Sequence, residues 1–314
     1  MKMRCLKALI CAVALLSATA PAAGAERLTL MLDWYPNVDH VPIYVAAQKG
    51  FFAEAGIEVE ILTPSDTADA LKLSAAGTVD LAISYTPQTI VGAAEGLPVK
   101  VVGRLVGQPL STLLYLKGKG ISSPADLNGK KIGYTVPGMM DVLTDAFAAV
   151  NGIESYSLVN IGFTIVQALT AGRVDAVMGA YRNYESVELT HLGYPHDFFA
   201  LEDWGIPEYD ELVFLTGAGT LSAKAHHIKA FRDAVARGAA FMAAHPTDAL
   251  HMYFKAVPEA PKKLEEAAFA ITLPLFALDQ RLDESRWQSF ADFGLKHGLI
   301  DKAVDVRTLL HHWE

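Results

Sequence analysis

The chain has 314 residues, of which 52% are hydrophobic and 19% are charged, and its formal net charge is −9. This composition is typical of a globular protein and excludes collagen-like, low-complexity and intrinsically disordered chains. Nucleic acid is not expected as a partner, because binding it needs a basic surface and the Lys and Arg residues of this acidic chain form no cluster.

The first 25 residues have the pattern of a secretory signal peptide. Three basic residues precede an apolar stretch at 8–16 that is too short to span a bilayer, and a small-x-small cleavage site ends at Ala25. The alternative, a first core helix, leaves the basic flank unexplained. We expect cleavage near Ala25 and a periplasmic protein that is not embedded in the membrane.

Cleavage there removes both cysteines, Cys5 and Cys11, so no disulfide and no cysteine-ligated metal is expected in the mature protein. It also removes three of the 26 basic residues and none of the 35 acidic ones, which changes the formal charge from −9 to −12.

From Arg27 onward, short apolar runs alternate with helical patterns in two series that are separated by Gly107-Gln108-Pro109. The first series predicts strands at 28–32, 59–62, 79–83 and 99–103 and helices at 41–49, 67–76 and 86–95. The second predicts strands at 131–134, 158–161 and 174–178 and helices at 139–150, 165–171 and 184–192. Beyond Thr220 only helices are predicted, at 225–244, 247–257, 262–270 and 284–297. The βαβ alternation indicates an α/β fold whose parallel sheets carry helices on both faces.

One motif occurs in both series. Residues 76–83 read AGTVDLAI and residues 171–178 read AGRVDAVM, and each run ends a helix and opens a buried strand. Turns of α/β proteins favour this chemistry in general, but its place in both series favours two similar lobes. Because ligands bind at the carboxyl ends of such strands, residues 84–86 and 179–181 are expected to face one cleft.

The run after the first strand, Asp33-Trp34-Tyr35-Pro36-Asn37-Val38-Asp39-His40, combines aromatic faces with hydrogen-bonding groups. We interpret Trp34, Asn37 and His40 as contacts of a planar polar ligand, because loops at this end of a sheet often carry function. The alternative is a turn in which Asp39 caps the next helix.

Tyr181-Arg182-Asn183-Tyr184-Glu185 has the equivalent place in the second series. A carboxylate in a closed cleft needs hydrogen-bond donors, which a ligand amino group supplies; alternatively, Glu185 complements the dipole of its helix. The run GYTVPG at 133–138 offers backbone N–H groups to a ligand near Gly138, although it lacks the lysine of a phosphate-binding loop.

Neither a metal site nor a catalytic nucleophile is expected. His226-His227 and His311-His312 are adjacent pairs whose side chains diverge on a helix, and the chain has no HExxH and no Gly-x-Ser-x-Gly motif.

Four runs carry a resemblance to a known family: DWYPN at 33–37, AAQKGFF at 46–52, GKKIGY at 129–134 and YRNYE at 181–185. Through them, residues 28–257 resemble the thiamine-pyrimidine binding proteins, which include bacterial ABC-transporter solute receptors and the eukaryotic pyrimidine-precursor synthase. The resemblance implies a periplasmic-binding-protein type II fold with a two-crossing hinge near 107–109 and 215–219. Lobe 1 would comprise residues 26–108 and 216–314, and lobe 2 residues 109–215.

The resemblance also implies a monomer that closes on an aminopyrimidine and delivers it to an ABC permease. Trp34, Tyr85, Tyr181 and Tyr184 would stack on the ring, Asn37 and His40 would bond its edge, and Glu185 would accept from its amino group. Ser84 and Gly138 complete the expected contacts.

Departures from the synthase favour a receptor without a cofactor. Ser84 aligns with the pyridoxal-phosphate lysine of the synthase, Gln88 aligns with the histidine that it consumes, and its cysteine-rich segment falls near 211–217 of this chain. A receptor of the same fold for a sulfonate, nitrate or flavin-type ligand is the alternative, followed by the synthase itself.

Overall fold

The structure, a computed structural model, describes residues 24–313. The predicted signal peptide, with Cys5 and Cys11, therefore lies almost entirely outside the described residues. The strands of the described part form two five-stranded sheets. They are β1 (Glu26–Met31), β2 (Ile57–Leu62), β3 (Leu81–Ser84), β4 (Val99–Val106), β5 (Ser111–Leu116), β6 (Lys130–Tyr134), β7 (Tyr156–Asn160), β8 (Ala176–Tyr181), β9 (His196–Ala200) and β10 (Leu212–Gly217).

The α-helices connect these strands and then continue beyond β10. They are α1 (Val41–Gln48), α2 (Phe51–Glu54), α3 (Asp69–Ala75), α4 (Thr86–Ala94), α5 (Met140–Asn151), α6 (Ile165–Thr170), α7 (Glu185–His191), α8 (Ala218–Ala244), α9 (Pro246–Ala256), α10 (Lys262–Thr272) and α11 (Glu284–Lys296). Helix α8 begins before the predicted start at 225, because it runs through a kink at Lys224 (φ −125°, ψ 23°).

The two sheets repeat one topology. The first has the order β2-β1-β3-β10-β4 and the second the order β7-β6-β8-β5-β9. In each, three parallel strands are followed by a strand that pairs antiparallel on both of its sides. The prediction of wholly parallel sheets was therefore wrong for β5 and β10, while the α/β class and the two lobes are confirmed.

The repeated motif has the same structural role in both lobes. Asp80, just before β3, accepts hydrogen bonds from the backbone N–H and the hydroxyl of Thr29 at 2.9 and 3.2 Å. Asp175, just before β8, accepts one from the backbone N–H of Lys131 at 2.8 Å. Each aspartate thus ties the last of the three parallel strands of its sheet in chain order, β3 or β8, to the first, β1 or β6, which explains the echo in the sequence.

The chain crosses between the sheets twice. The first crossing lies between β4 and β5, at 107–110, and the second lies between the short 3-10 helix Leu201–Trp204 and β10. Strand β10 already belongs to the first sheet, so the second crossing precedes the predicted hinge at 215–219. After it, α8 packs on α1 and β4, so the C-terminal helices cover the first sheet.

Candidate functional site

A cavity lies between the two sheets, at the carboxyl ends of their parallel strands, where ligands of such folds bind. It measures about 400 Å³ including its open mouth. The loops after β1 and β3 form one wall, and the loop after β6, strand β8 and helices α5 to α7 form the other. The lining consists of Asp33, Trp34, Asn37, Tyr85, Thr135, Val136, Met140, Ile165, Gly179, Tyr181, Tyr184 and Glu185.

Asp33 organises the first wall. Its Oδ1 lies 2.9 Å from His40 Nε2, and its Oδ2 accepts a hydrogen bond of 2.9 Å from the Tyr85 hydroxyl. Because the backbone N–H of Asn37 donates to His40 Nδ1 at 3.3 Å, we assign the ring proton to Nε2, facing Asp33. Both oxygens of Asp33 are thus engaged by the protein, and the carboxylate fixes the Tyr85 ring beside the cavity.

Asn37 begins the 3-10 helix Val38–His40 that precedes α1. Its Oδ1 accepts from the backbone N–H of Asp39 at 2.8 Å, and its Nδ2 donates to the Tyr35 carbonyl at 3.2 Å. The amide nitrogen carries two hydrogens. One donor therefore remains for a ligand acceptor in the cavity that Asn37 lines.

Glu185 begins α7 and is only 7% exposed. Its Oε2 accepts a hydrogen bond of 2.7 Å from the backbone N–H of Tyr181, which leaves Oε1 to a ligand. Burial raises the pKa of Glu185 to about 8, although the bond from Tyr181 opposes the rise. A ligand that donates a hydrogen bond to this carboxyl replaces solvation that burial removed.

The Tyr181 hydroxyl is buried and has no hydrogen-bond partner within residues 24–313. Burial, followed by the charges of Glu211 and neighbouring groups, holds its pKa well above the usual value, so the hydroxyl keeps its proton at neutral pH. Tyr181 therefore brings to the cavity wall a protonated hydroxyl that lies near the Tyr85 hydroxyl and makes no hydrogen bond of ordinary geometry within the described residues.

Aromatic rings join the two walls near the cavity mouth. Trp34 and Tyr35 of the first lobe pack on Phe163 of the second, with ring centroids 4.4 and 4.6 Å apart. Polar contacts do the same: the Thr67 hydroxyl donates to the Thr135 carbonyl at 2.7 Å. The structure therefore shows the cleft in a closed arrangement, with Trp34 contributing both to the lining and to the contact between lobes.

The structure brings together six of the predicted contact residues: Trp34, Asn37, Tyr85, Tyr181, Tyr184 and Glu185. The remaining three do not line the cavity. His40 is fully buried behind Asp33, the Ser84 hydroxyl donates to Gln88 Oε1 at 2.8 Å, and Gly138 is exposed on the loop before α5. His40 thus contacts the cavity lining through Asp33.

Sequence reasoning missed Asp33, Thr135, Val136, Met140 and Ile165 as lining residues. Asp33 and the pair 135–136 lie inside runs that were singled out, so their place after a strand was the available signal. Met140 and Ile165 read as ordinary core positions of amphipathic helices, and nothing in their spacing distinguishes them from core.

Within residues 24–313, no three His, Asp or Glu side chains are grouped as metal ligands would be. That part of the chain also has no helix with the length and apolar character needed to cross a bilayer.

Comparison with known proteins places this cleft in a family context. The family model described as NMT1/THI5 like matches residues 37–249. A Haemophilus influenzae protein provisionally named as a thiamine biosynthesis protein is 40% identical over 92% of this chain and 93% of its own length. The formylaminopyrimidine-binding protein of Halalkalibacterium halodurans is 34% identical over 79% of this chain and 77% of its own length. The 4-amino-5-hydroxymethyl-2-methylpyrimidine phosphate synthase of Legionella pneumophila is 31% identical over 90% of each chain.

Solved structures show the same fold at lower identity. The alkanesulfonate-binding protein of Xanthomonas axonopodis has a TM-score of 0.73 at 18% identity and covers 92% of this chain and 99% of its own. The periplasmic aliphatic sulphonate binding protein of Escherichia coli has a TM-score of 0.69 at 15% identity, with 92% and 93% covered. At these identities the likeness establishes the fold alone, which is that of periplasmic binding proteins.

Proposed function

The chain belongs to the NMT1/THI5-like family, and on that premise we propose that it is a solute-binding protein that captures a thiamine-pyrimidine precursor in the cleft between its lobes. The formylaminopyrimidine type of precursor is the first candidate, because a relative that is 34% identical carries that name.

The observation that carries the proposal is the chemistry of the cavity lining. Trp34 and the three tyrosines supply faces for a planar ring, and Glu185 Oε1 supplies an acceptor for an exocyclic amino group. The unused donors of Asn37 and Tyr181 match ring nitrogens or a carbonyl substituent. An aminopyrimidine has these three features together.

The charge of the cavity argues against an anionic ligand. Among the described lining residues the ionisable carboxyl groups are Asp33 and Glu185, and none is Lys, Arg or His. A sulfonate or a phosphate ester buried here would lie beside carboxyl groups without a compensating cation, which is costly. The shared fold therefore supports the sulfonate alternative, but the residues that line the cavity do not.

Synthases of the same family are relatives too, but residues of this chain favour the receptor. At the position that aligns with the lysine expected of the enzyme stands Ser84, which is fully buried and bonded to Gln88 outside the cavity lining. Ser84 has no amine with which to form an aldimine, and Gln88 has no imidazole to supply to a reaction. We therefore propose binding and closure as the activity.

The receptor would act in the periplasm after cleavage near Ala25, as a monomer, and would present its closed form to an ABC permease. Periplasmic relatives of the same fold support this location. Closure provides the signal, because the closed form differs from the open one in the surface that both lobes offer together.

Mass spectrometry of the small molecules released from the protein, purified from its native host, tests the proposal. We expect a neutral or cationic aminopyrimidine. Release of a sulfonate or another organic anion as the dominant compound would contradict it.

A further inference from the structure

We propose that Asp39, Asn183 and Thr272 form a proton-dependent latch that holds the cleft closed, with the proton on Asp39 shared with Asn183. The latch rests on the proposed receptor function, since closure is the event that it controls, but its test needs no ligand.

The three side chains meet across the cleft. Asn183 follows β8 in the second lobe, whereas Asp39 and Thr272 belong to the 3-10 helix before α1 and to α10, both on the first lobe. Asn183 Nδ2 donates to Asp39 Oδ1 at 2.8 Å and to Thr272 Oγ1 at 2.7 Å, and Thr272 Oγ1 lies 2.9 Å from Asp39 Oδ1. Each residue is at most 1% exposed, so bulk water does not compete for these bonds.

The bonds of this cluster leave two acceptors unmatched. Asn183 uses both hydrogens of its amide nitrogen, while its Oδ1 has no partner among the described residues. Asp39 Oδ2 belongs to the carboxyl group that Asn183 already binds, and it also has no hydrogen-bond partner among the described residues. A buried acceptor without a donor is costly. One proton on Asp39 turns Oδ2 into a donor, and the unpaired Asn183 Oδ1, on the amide that already binds Asp39 Oδ1, is its proposed acceptor.

The surroundings of Asp39 favour the protonated form. Burial is the largest effect and raises its pKa to about 7, although the opposite charge of His40 and the bonds from Thr272 and Asn183 oppose the rise. The His40 ring is engaged by the backbone N–H of Asn37 at Nδ1 and by Asp33 at Nε2. The other ionisable groups that interact with Asp39 all add negative charge when ionised: Asp33, Tyr181, Glu185 and Glu265.

The sign of the pH dependence follows from this arrangement. Opening the cleft separates Asn183 from Asp39 and admits water, so the pKa of Asp39 returns toward the ordinary value of 3.8. Closure then takes up a proton between that value and about 7. The closed fraction is therefore expected to rise as pH falls through 7, by up to about tenfold in the closure equilibrium for each pH unit.

Small-angle X-ray scattering of the ligand-free protein at pH 5 and pH 8 tests the latch through the radius of gyration. The wild type is expected to be more compact at pH 5. D39N places an uncharged donor beside Asn183 Oδ1 at every pH, so it should stay compact at pH 8. N183A should be expanded at both values. D301N removes an exposed carboxylate elsewhere and should behave as the wild type.

Glu185 and Glu265 are also buried by closure, so the decisive quantity is the part of the pH effect that D39N removes. Equal pH effects in D39N and the wild type, or none in the wild type, would overturn the latch. Circular dichroism shows whether D39N folds. If it does not, the comparison of the wild type with N183A tests the latch, because N183A must abolish the compaction at pH 5. Failure of the latch leaves pyrimidine binding intact, whereas failure of the proposed function would appear as no pyrimidine binding at either pH.

Discussion

At the scale of single residues, the site depends on which polar atoms the protein leaves unused. Asp33 has both oxygens engaged by His40 and Tyr85, whereas the one recorded bond of the Glu185 carboxyl is to its Oε2 within the described residues. A carboxyl group with both oxygens bonded by the protein and one with a single bonded oxygen are thus neighbours in the same cavity.

Replacing Glu185 tests the ligand-binding carboxyl. E185A removes the acceptor and is expected to weaken the binding of formylaminopyrimidine roughly tenfold, as for the loss of one hydrogen bond. E185Q should also weaken it, because an amide that keeps its oxygen on the Tyr181 N–H turns a donor toward the ligand amino group. Calorimetric titration measures both, with E188Q as the control on the next turn of α7. Unchanged affinity in both variants would show that Glu185 does not touch the ligand.

The buried hydroxyl of Tyr181 is expected to bond the ligand. Y181F keeps the ring and removes the donor, so it should weaken binding by roughly tenfold, corresponding to one hydrogen bond. Y115F, in the core strand β5, is the matched control and should bind as the wild type. An affinity of Y181F equal to that of Y115F would remove the hydroxyl from the site.

Sequence predicted residues that line the cavity where a motif stood directly after a strand, as for Trp34, Asn37 and Glu185. It did not place His40 and Ser84 away from the cavity lining, because position in a loop does not tell which way a side chain points. His40 is fully buried behind Asp33 and Ser84 is bonded inward to Gln88, and only the packed structure shows this.

At the scale of elements, the parallel strands and their helices follow from hydrophobic period and terminal glycines, so sequence predicted them. The antiparallel strands β5 and β10 were missed because each follows a crossing between lobes. Their partners, β8 and β9 for β5 and β3 and β4 for β10, are distant in sequence or in the other series. Pairing of that kind leaves no local signal. The missed β10 also displaced the predicted second hinge.

The carboxyl end of β8 needs glycine at position 179. Gly179 has φ 92°, and a Cβ there would lie 2.5 Å from Thr135 Oγ1 and 3.0 Å from Met140 Cγ, both cavity residues. G179A is expected to lower the free energy of unfolding by about 1–3 kcal/mol more than G129A, because only G179A adds a clash to the backbone strain. Gly129 has φ 75° and open space around it. Denaturant unfolding compares the two, and equal losses would contradict the close packing around β8.

At the scale of the whole molecule, the two lobes repeat one topology and meet around a cavity whose ionisable lining is acidic. The closed arrangement depends on contacts from both lobes, among them Trp34 with Phe163 and Asp39 with Asn183. A ligand that bridges the walls stabilises this arrangement by the contacts that it makes only when the cleft is closed.

The charge of the whole cavity predicts how ligands are ranked. A phosphate ester of hydroxymethylpyrimidine carries the same ring as the free alcohol but adds negative charge beside Glu185. It is expected to bind at least about 100-fold more weakly, the cost of a few kcal/mol for an uncompensated buried charge. Competition between the two compounds, followed by the fluorescence of Trp34 and the other tryptophans, measures the ratio. Equal affinities would contradict the acidic cavity as the basis of selectivity.

Calorimetric titration of the wild-type protein with formylaminopyrimidine and, in parallel, with an alkanesulfonate tests the central claim most directly. The account predicts a dissociation constant for the pyrimidine of about 10 μM or tighter and no measurable heat from the sulfonate. Pyrimidine binding no tighter than about 1 mM, or sulfonate binding tighter than pyrimidine binding, would contradict it.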